Sequence, residues 1–201
     1  MASSLIKVLF LLVVPGGWLW FPALANLREE NETEIVQADG KLHCENGKIL
    51  IRSAAPLEVI EARSNKLRGI LDPETQAFGW SVDIRTIEGF NNPLQREHFN
   101  ENYLESERFP KASFTGKIIE KIDFKKDGTY YIRAKGQFKV HGIEQERIIK
   151  TKIDVKNGKV IAHAAFTIVL AEHDIVIPRI VYQKIAEEVE IKVDAELKAG
   201  S

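Results

Sequence analysis

From about Lys41 onward, apolar and polar residues alternate with a period of two, the spacing that sends successive side chains to opposite faces of a strand. In 112–124 the even positions carry Ala112, Phe114, Gly116, Ile118, Ile122 and Phe124, whereas the odd ones carry Ser113, Thr115, Lys117, Lys121 and Asp123. Residues 130–140 repeat the pattern with Tyr130, Ile132, Ala134, Phe138 and Val140 against Arg133, Lys135 and Lys139, and 160–170 and 189–197 do so again. Further strands are predicted over 48–54, 57–71 and 77–88, and these seven segments set the expected total at roughly eight. Each has one apolar face, as antiparallel strands buried on one side do. Asn46-Gly47, Asp127-Gly128 and Asn157-Gly158 tolerate positive φ and predict two-residue hairpins. A sheet this wide with one apolar face has to fold over or close, which predicts an all-β barrel or sandwich.

Two short helical pieces interrupt the strands. Asn92 caps a helix opening on Pro93, with Gln95 placed for a capping box and Phe99 and Tyr103 one turn apart. A second piece over 180–188 follows Pro178 and carries Val181, Ile185 and Val189 on one side. Both are short enough to serve as lids or plugs. The strands carry full charges on their polar faces, and a mid-strand Lys facing lipid would cost about 2–4 kcal/mol. The barrel expected is therefore of the soluble kind, polar outside and apolar inside.

The first 25 residues differ from all that follows. Lys7 is their only charge, an apolar run extends from Val8 to Val14, and Ala23-Leu24-Ala25 closes the stretch with small residues. This predicts a secretory signal peptide cut after Ala25, with an uncleaved membrane anchor as the alternative. The expected organisation is a signal peptide over 1–25, a loose acidic segment over 26–40 and one barrel domain over 41–201, periplasmic or secreted. A formal net charge of −1 provides no basic footprint for nucleic acid. Cys44 is the sole cysteine, so no intrachain disulfide forms, and a small buried apolar residue is the expectation there.

The chain contains no nucleophile elbow, phosphate loop or paired metal-ligand spacing, and neither enzyme activity nor a metal is expected. His43, His98, His141, His163 and His173 are expected at the surface or locally satisfied, and Glu97, Glu101 and Glu105 fall on one solvated helix face. The apolar face is informative because it mixes sizes. Trp80, Phe114, Phe138 and Phe166 stand among Gly69, Gly116, Ala134, Gly136, Ala162, Ala164 and Ala195. Those small residues either leave a cavity or mark where strands coil and large neighbours need room. Candidate ligand-binding residues are Phe78, Trp80, Phe114 and Ile118 on the earlier strands and Ile132, Phe138, Ala164, Phe166 and Ile168 on the later ones. Phe90, Phe99 and Tyr103 join them from the helical connection. Ala164→Trp and Gly136→Phe are both expected to block such a cavity in a folded barrel. Charges of both signs alternate on the outer faces, which predicts a monomer or weak dimer.

The stretch Gly89-Phe90-Asn91-Asn92-Pro93-Leu94-Gln95, followed by Phe99, Tyr103 and Phe109-Pro110-Lys111-Ala112-Ser113-Phe114-Thr115-Gly116, resembles the YceI-like family of bacterial polyisoprenoid-binding proteins. Gly136-Gln137-Phe138-Lys139-Val140-His141-Gly142 resembles the family's later hairpin, and the likeness covers about 48–198. It departs at the start, where Ala54-Ala55-Pro56-Leu57 stands in place of a serine-rich strand. The resemblance implies a closed, eight-stranded, lipocalin-like antiparallel barrel with an elongated apolar cavity for isoprenoid or similar long chains. It implies no catalytic residues and no cofactor, an isoprenoid or quinone being ligand instead. A packed barrel acting as an envelope interaction or stress protein is the alternative.

Overall fold

In the computed structural model, which describes residues 40–200, the seven alternating segments form strands, and an eighth over 143–156, which the sequence reading did not single out, completes the set. These are β1 (Leu42–Ala54), β2 (Val59–Leu71), β3 (Ala77–Asp83), β4 (Lys111–Ile118), β5 (Gly128–Val140), β6 (Ile143–Lys156), β7 (Lys159–Val169) and β8 (Glu188–Ala199). Every strand pairs with its sequence neighbour in antiparallel register, and β8 returns to β1 through pairs such as Ile51 with Ile191, so the barrel is closed. Closure removes the exposed edges that an open sheet would carry. The predicted apolar faces point inward: Ile132, Ala134 and Phe138 on β5 and Val189, Ile191 and Ala195 on β8 are buried. The segment 1–25, expected as a signal peptide, and all of 26–40 except Gly40 lie outside the described residues.

Several element boundaries differ from expectation, each for a local reason. Asn46-Gly47 is a β-bulge inside β1, where Cys44 and Gly47 face Gly69 and Leu67 and the extra residue also shifts the register against β8. Asp127-Gly128 ends an open connection, with β5 beginning at Gly128. Asn157-Gly158 is the expected two-residue hairpin, with φ of 51° and 74°, and His141-Gly142 builds a second one between β5 and β6. The third strand stops at Asp83, whose side chain accepts from the Arg85 N–H and starts a 3-10 turn over Ile84–Thr86. The fourth ends at Ile118 and not at 124; Phe124 is nonetheless buried in the core, delivered from a turn in which Asp123 accepts from the Lys125 N–H.

The helix predicted at Pro93 is present as α1 (Pro93–His98), with Asn92 accepting from the Gln95 N–H at 2.9 Å. Gln95 reaches back to the N–H of Asn91 rather than of Asn92, and the helix continues as a π-helical turn over Phe99–Tyr103. The helix expected over 180–188 is not formed. A 3-10 turn over Arg179–Val181 stands there without a side-chain cap to extend it, and β8 begins at Glu188.

The connections segregate by end. The upper end collects 55–58, 84–110, 141–142 and 170–187, whereas the lower end holds 72–76, 119–127, 157–158, the start of β1 and the finish of β8. Glycine serves close approach on the wall between them. Gly116 and Gly136 are register partners across β4 and β5, and a Cβ on either would run into backbone of the other strand. Gly69 lies under the Trp80 ring. At these positions the small residue reflects strand coiling and a large neighbour, not a cavity. Gly136→Phe therefore does not block a tunnel in a folded barrel as expected; it breaks the β4–β5 ladder.

Candidate ligand cavity

Inward side chains of all eight strands enclose a cavity of about 560 Å³ that runs from the upper end down into the barrel. Its upper wall is built by Phe90, Leu94, Gln95, His98, Phe99 and Tyr103 from the β3–β4 connection and by Val181, Lys184 and Ile185 from the β7–β8 connection. Its depths are lined by Leu71, Phe78, Ile118, Ile132, Val160 and Leu197. Between them the aromatic rings meet in series. Phe78 and Phe114 have centroids 5.0 Å apart, Phe114 and Phe138 6.4 Å, and Phe138 and Phe166 5.8 Å. Such tilted contacts favour a fixed wall. Phe90 packs on Phe99 at 4.9 Å beneath the mouth.

Polar groups gather where the cavity opens. The Glu58 carboxylate accepts from Asn91 Nδ2 at 3.0 Å and from Gln95 Nε2 at 2.7 Å. These bonds, with the Lys184 charge adding to them, hold its pKa below the ordinary carboxylate value. The mouth therefore carries a fixed anion, a lysine and the side chains of Asn92 and His98. Farther in, burial pushes the Tyr103 phenol up. Ser53 is buried, its hydroxyl accepting from the Ala186 N–H at 2.9 Å. The lining is otherwise dominated by hydrocarbon, and the arrangement suits a chain inside with a polar group at the mouth.

All the candidate residues lie on this wall: Phe78, Trp80, Phe90, Phe99, Tyr103, Phe114, Ile118, Ile132, Phe138, Ala164, Phe166 and Ile168. Ala134, Ala162 and Ala164 are the small residues that line the cavity, whereas Gly69, Gly116, Gly136 and Ala195 are not part of its lining. Sequence reasoning missed Ile49, Ile51, Ile60 and Ala62 on β1 and β2, Ile149, Thr151 and Ile153 on β6, and the mouth groups Glu58, Gln95 and Lys184. Cys44 is buried outside this lining, where burial pushes its thiol up. Among the described residues no three His, Cys, Asp or Glu side chains cluster to hold a metal.

Behind Phe138 lies a partly buried polar cluster. His141 Nδ1 donates to the His173 carbonyl at 2.9 Å, and its Nε2 stands 3.3 Å from Glu105. The His173 ring is fully buried, packs edgewise on Phe138 at 5.6 Å and has no well-formed hydrogen bond at either nitrogen, the Ile143 backbone being a weak partner only. This histidine departs from the expectation that each would be exposed or locally satisfied. Burial lowers its pKa, and the nearby Arg147 charge lowers it further. A lowered folded pKa means that the unfolded chain takes up a proton which the folded chain resists. Stability from neutral His173 is thus present above the unfolded value of about 6.5 and is lost as pH falls through the window below it. His173→Leu is expected to raise stability by about 1 kcal/mol at neutral pH by removing two buried ring nitrogens that lack a well-formed hydrogen bond. The gain should widen in acid; urea midpoints at about pH 7.5 and about pH 5.5 that differ equally between the two proteins would count against it.

The model of the YceI-like domain family matches residues 51–197. Among solved structures, a polyisoprenoid binding domain from Saccharophagus degradans implicated in plant cell wall breakdown is similar with a TM-score of 0.67 at 8% identity, over 80% of this chain and 99% of that one. Burkholderia cenocepacia BcnA gives 0.61 at 14% identity over 75% and 95%. A Campylobacter jejuni YCEI protein that crystallizes with large solvent channels gives 0.56 at 14% over 70% and 85%. At these identities the likeness is one of fold. No curated protein matches the chain.

Proposed function

The chain belongs to the YceI-like domain family, and on that premise we propose that it binds a long-chain isoprenoid, a quinone or a similar amphiphile end-on in the barrel and carries it outside the cytoplasm without acting as an enzyme. The observation that carries this is the cavity itself, apolar along its length, with its polar groups gathered at the mouth. Each methylene withdrawn from water contributes about 0.8 kcal/mol, so a tail of about ten carbons supplies about 8 kcal/mol, enough for micromolar affinity with no charged contact. Chain length then matters more than head group. The head sits beside Glu58, Gln95 and Lys184. The name of the Saccharophagus degradans domain supports the isoprenoid class, and the leader-like stretch 1–25 supports export. The protein acts as a monomer or weak dimer.

The test is mass spectrometry of organic extracts from protein purified out of its native compartment. A long-chain isoprenoid or quinone in near-stoichiometric amount is the expected result. Extracts without lipid, together with failure to retain an added polyprenol, would overturn the proposal and favour a packed barrel with an interaction role.

A further inference from the structure

Among the described residues, six of the ten large apolar side chains left in water lie at one end of this barrel, the other four being Ile70, Ile119, Tyr131 and Ile148. Leu57 and Val59 beside the β1–β2 connection, Leu94 on α1, and Val176, Ile180 and Tyr182 in the β7–β8 connection are exposed, Ile180 at 92% and Val176 at 78%. All belong to the upper end, where the cavity opens. The Leu57 N–H donates to the Gln183 carbonyl at 2.9 Å, so the connections carrying Leu57 and Tyr182 form one continuous rim. Leu94 belongs both to this rim and to the cavity wall. Along 175–186 the charged residues are Arg179 and Lys184, and the acidic Glu172, Asp174 and Glu187 lie at the two ends of the connection, next to the strands.

We propose that this rim docks on an anionic bilayer surface, so that the mouth opens onto the apolar layer from which a chain is drawn. The proposal rests on the cavity binding a lipid-like chain. Ile180, Val176 and Leu57 would enter the boundary between head groups and acyl chains, and Tyr182 would place its ring at head-group level. Arg179 and Lys184 would meet lipid phosphates. A contiguous apolar patch on a water-soluble protein marks a surface that is covered in use. A bilayer fits better than a protein partner, because it covers the rim without stoppering the tunnel and continues its hydrocarbon interior. Glu97 on α1 and the neighbouring Glu101 are exposed, so contact is made on the β7–β8 side of the mouth through 175–186, where the only charged side chains are Arg179 and Lys184.

The test is flotation of the purified protein with vesicles of phosphatidylcholine alone and of phosphatidylcholine with phosphatidylglycerol. Binding of geranylgeraniol is read in parallel from tryptophan fluorescence without vesicles. The wild type should float with the phosphatidylglycerol vesicles and do so less as salt rises. Ile180→Asp should lower the bound fraction about tenfold, and Arg179→Gln should weaken the salt dependence, both with geranylgeraniol affinity unchanged. A wild type that floats with neither vesicle, or an Ile180→Asp variant that floats like wild type, would overturn the docking; the latter would place vesicle affinity elsewhere, such as in segment 1–25. Tight self-association lost in Ile180→Asp, with no flotation, would also overturn it and assign the rim to a second copy of the chain. Rim-dependent flotation without geranylgeraniol binding would leave the docking standing and remove the cavity proposal beneath it.

Discussion

Replacing Ala164 with tryptophan is expected to leave a closed barrel that no longer holds a long chain. Ala164 lies on β7, opposite Thr151 of β6 and Val193 of β8, and its side chain faces the lumen. An indole there grows into open space and not into backbone, so overpacking is held to about 1–3 kcal/mol of stability. It stands between the mouth and the deep wall of Leu71, Ile118 and Leu197. A chain stopped at that level loses about 0.8 kcal/mol for each methylene it cannot bury, and five or six such losses weaken binding by about a thousandfold. Lipid extraction and polyprenol titration check the loss, and circular dichroism checks the fold. Wild-type lipid content in a folded Ala164→Trp protein would show that the ligand does not pass Ala164.

Adding a single methyl group at Gly136 should do more harm than the indole at Ala164. The Cβ of Gly136→Ala points at the Thr115 carbonyl, and that of Gly116→Ala at the Lys135 carbonyl, with backbone on both sides and no flexible side chain to give way. The clash is relieved only by separating β4 from β5 and losing ladder bonds between them. Each substitution is expected to cost about 3 kcal/mol or more, and Gly136→Phe should not fold. Urea unfolding reads the difference directly. A loss under about 1 kcal/mol in Gly136→Ala would mean that the two strands can move apart freely.

Strand alternation made the barrel legible because one face had to be apolar along nearly every segment. It failed where a polar residue occupied an inward phase. On β6, Gln145 and Arg147 share the phase of Ile149, Thr151 and Ile153. Arg147 is satisfied by Glu172 at 2.7 Å and the Thr167 carbonyl at 3.1 Å, while Ile148 is exposed on the outer face. The local pattern therefore looked irregular, and that strand's contribution to the cavity went unseen. The bulge in β1 likewise shifted the alternation on either side of Asn46. Aromatic wall residues such as Phe114 and Phe138 announced themselves by size and phase. Glu58, Gln95 and Lys184 did not, because three separate connections bring them to the mouth and each alone resembles an ordinary surface residue. Glycine was ambiguous in sequence, since the same residue serves an open lumen and a tight crossing; only the register pairing of Gly116 with Gly136 separates the two.

Barrel closure also has a consequence in time. The wall is completed by β8 against β1, pairing Leu42 with Ala199 and His43 with Lys198, residues from opposite ends of the described chain. Every other strand pair joins sequence neighbours and can form as the polypeptide emerges, whereas this seam must wait for the last strand. Long-range pairing of this kind is slow because a large loop has to be closed before the contact contributes. Until then the apolar face of a seven-stranded sheet is open along one side, and the nascent chain is at its most prone to aggregate. On the proposed function, a lipid present at that stage would be enclosed as the seam shuts, without passing through the mouth.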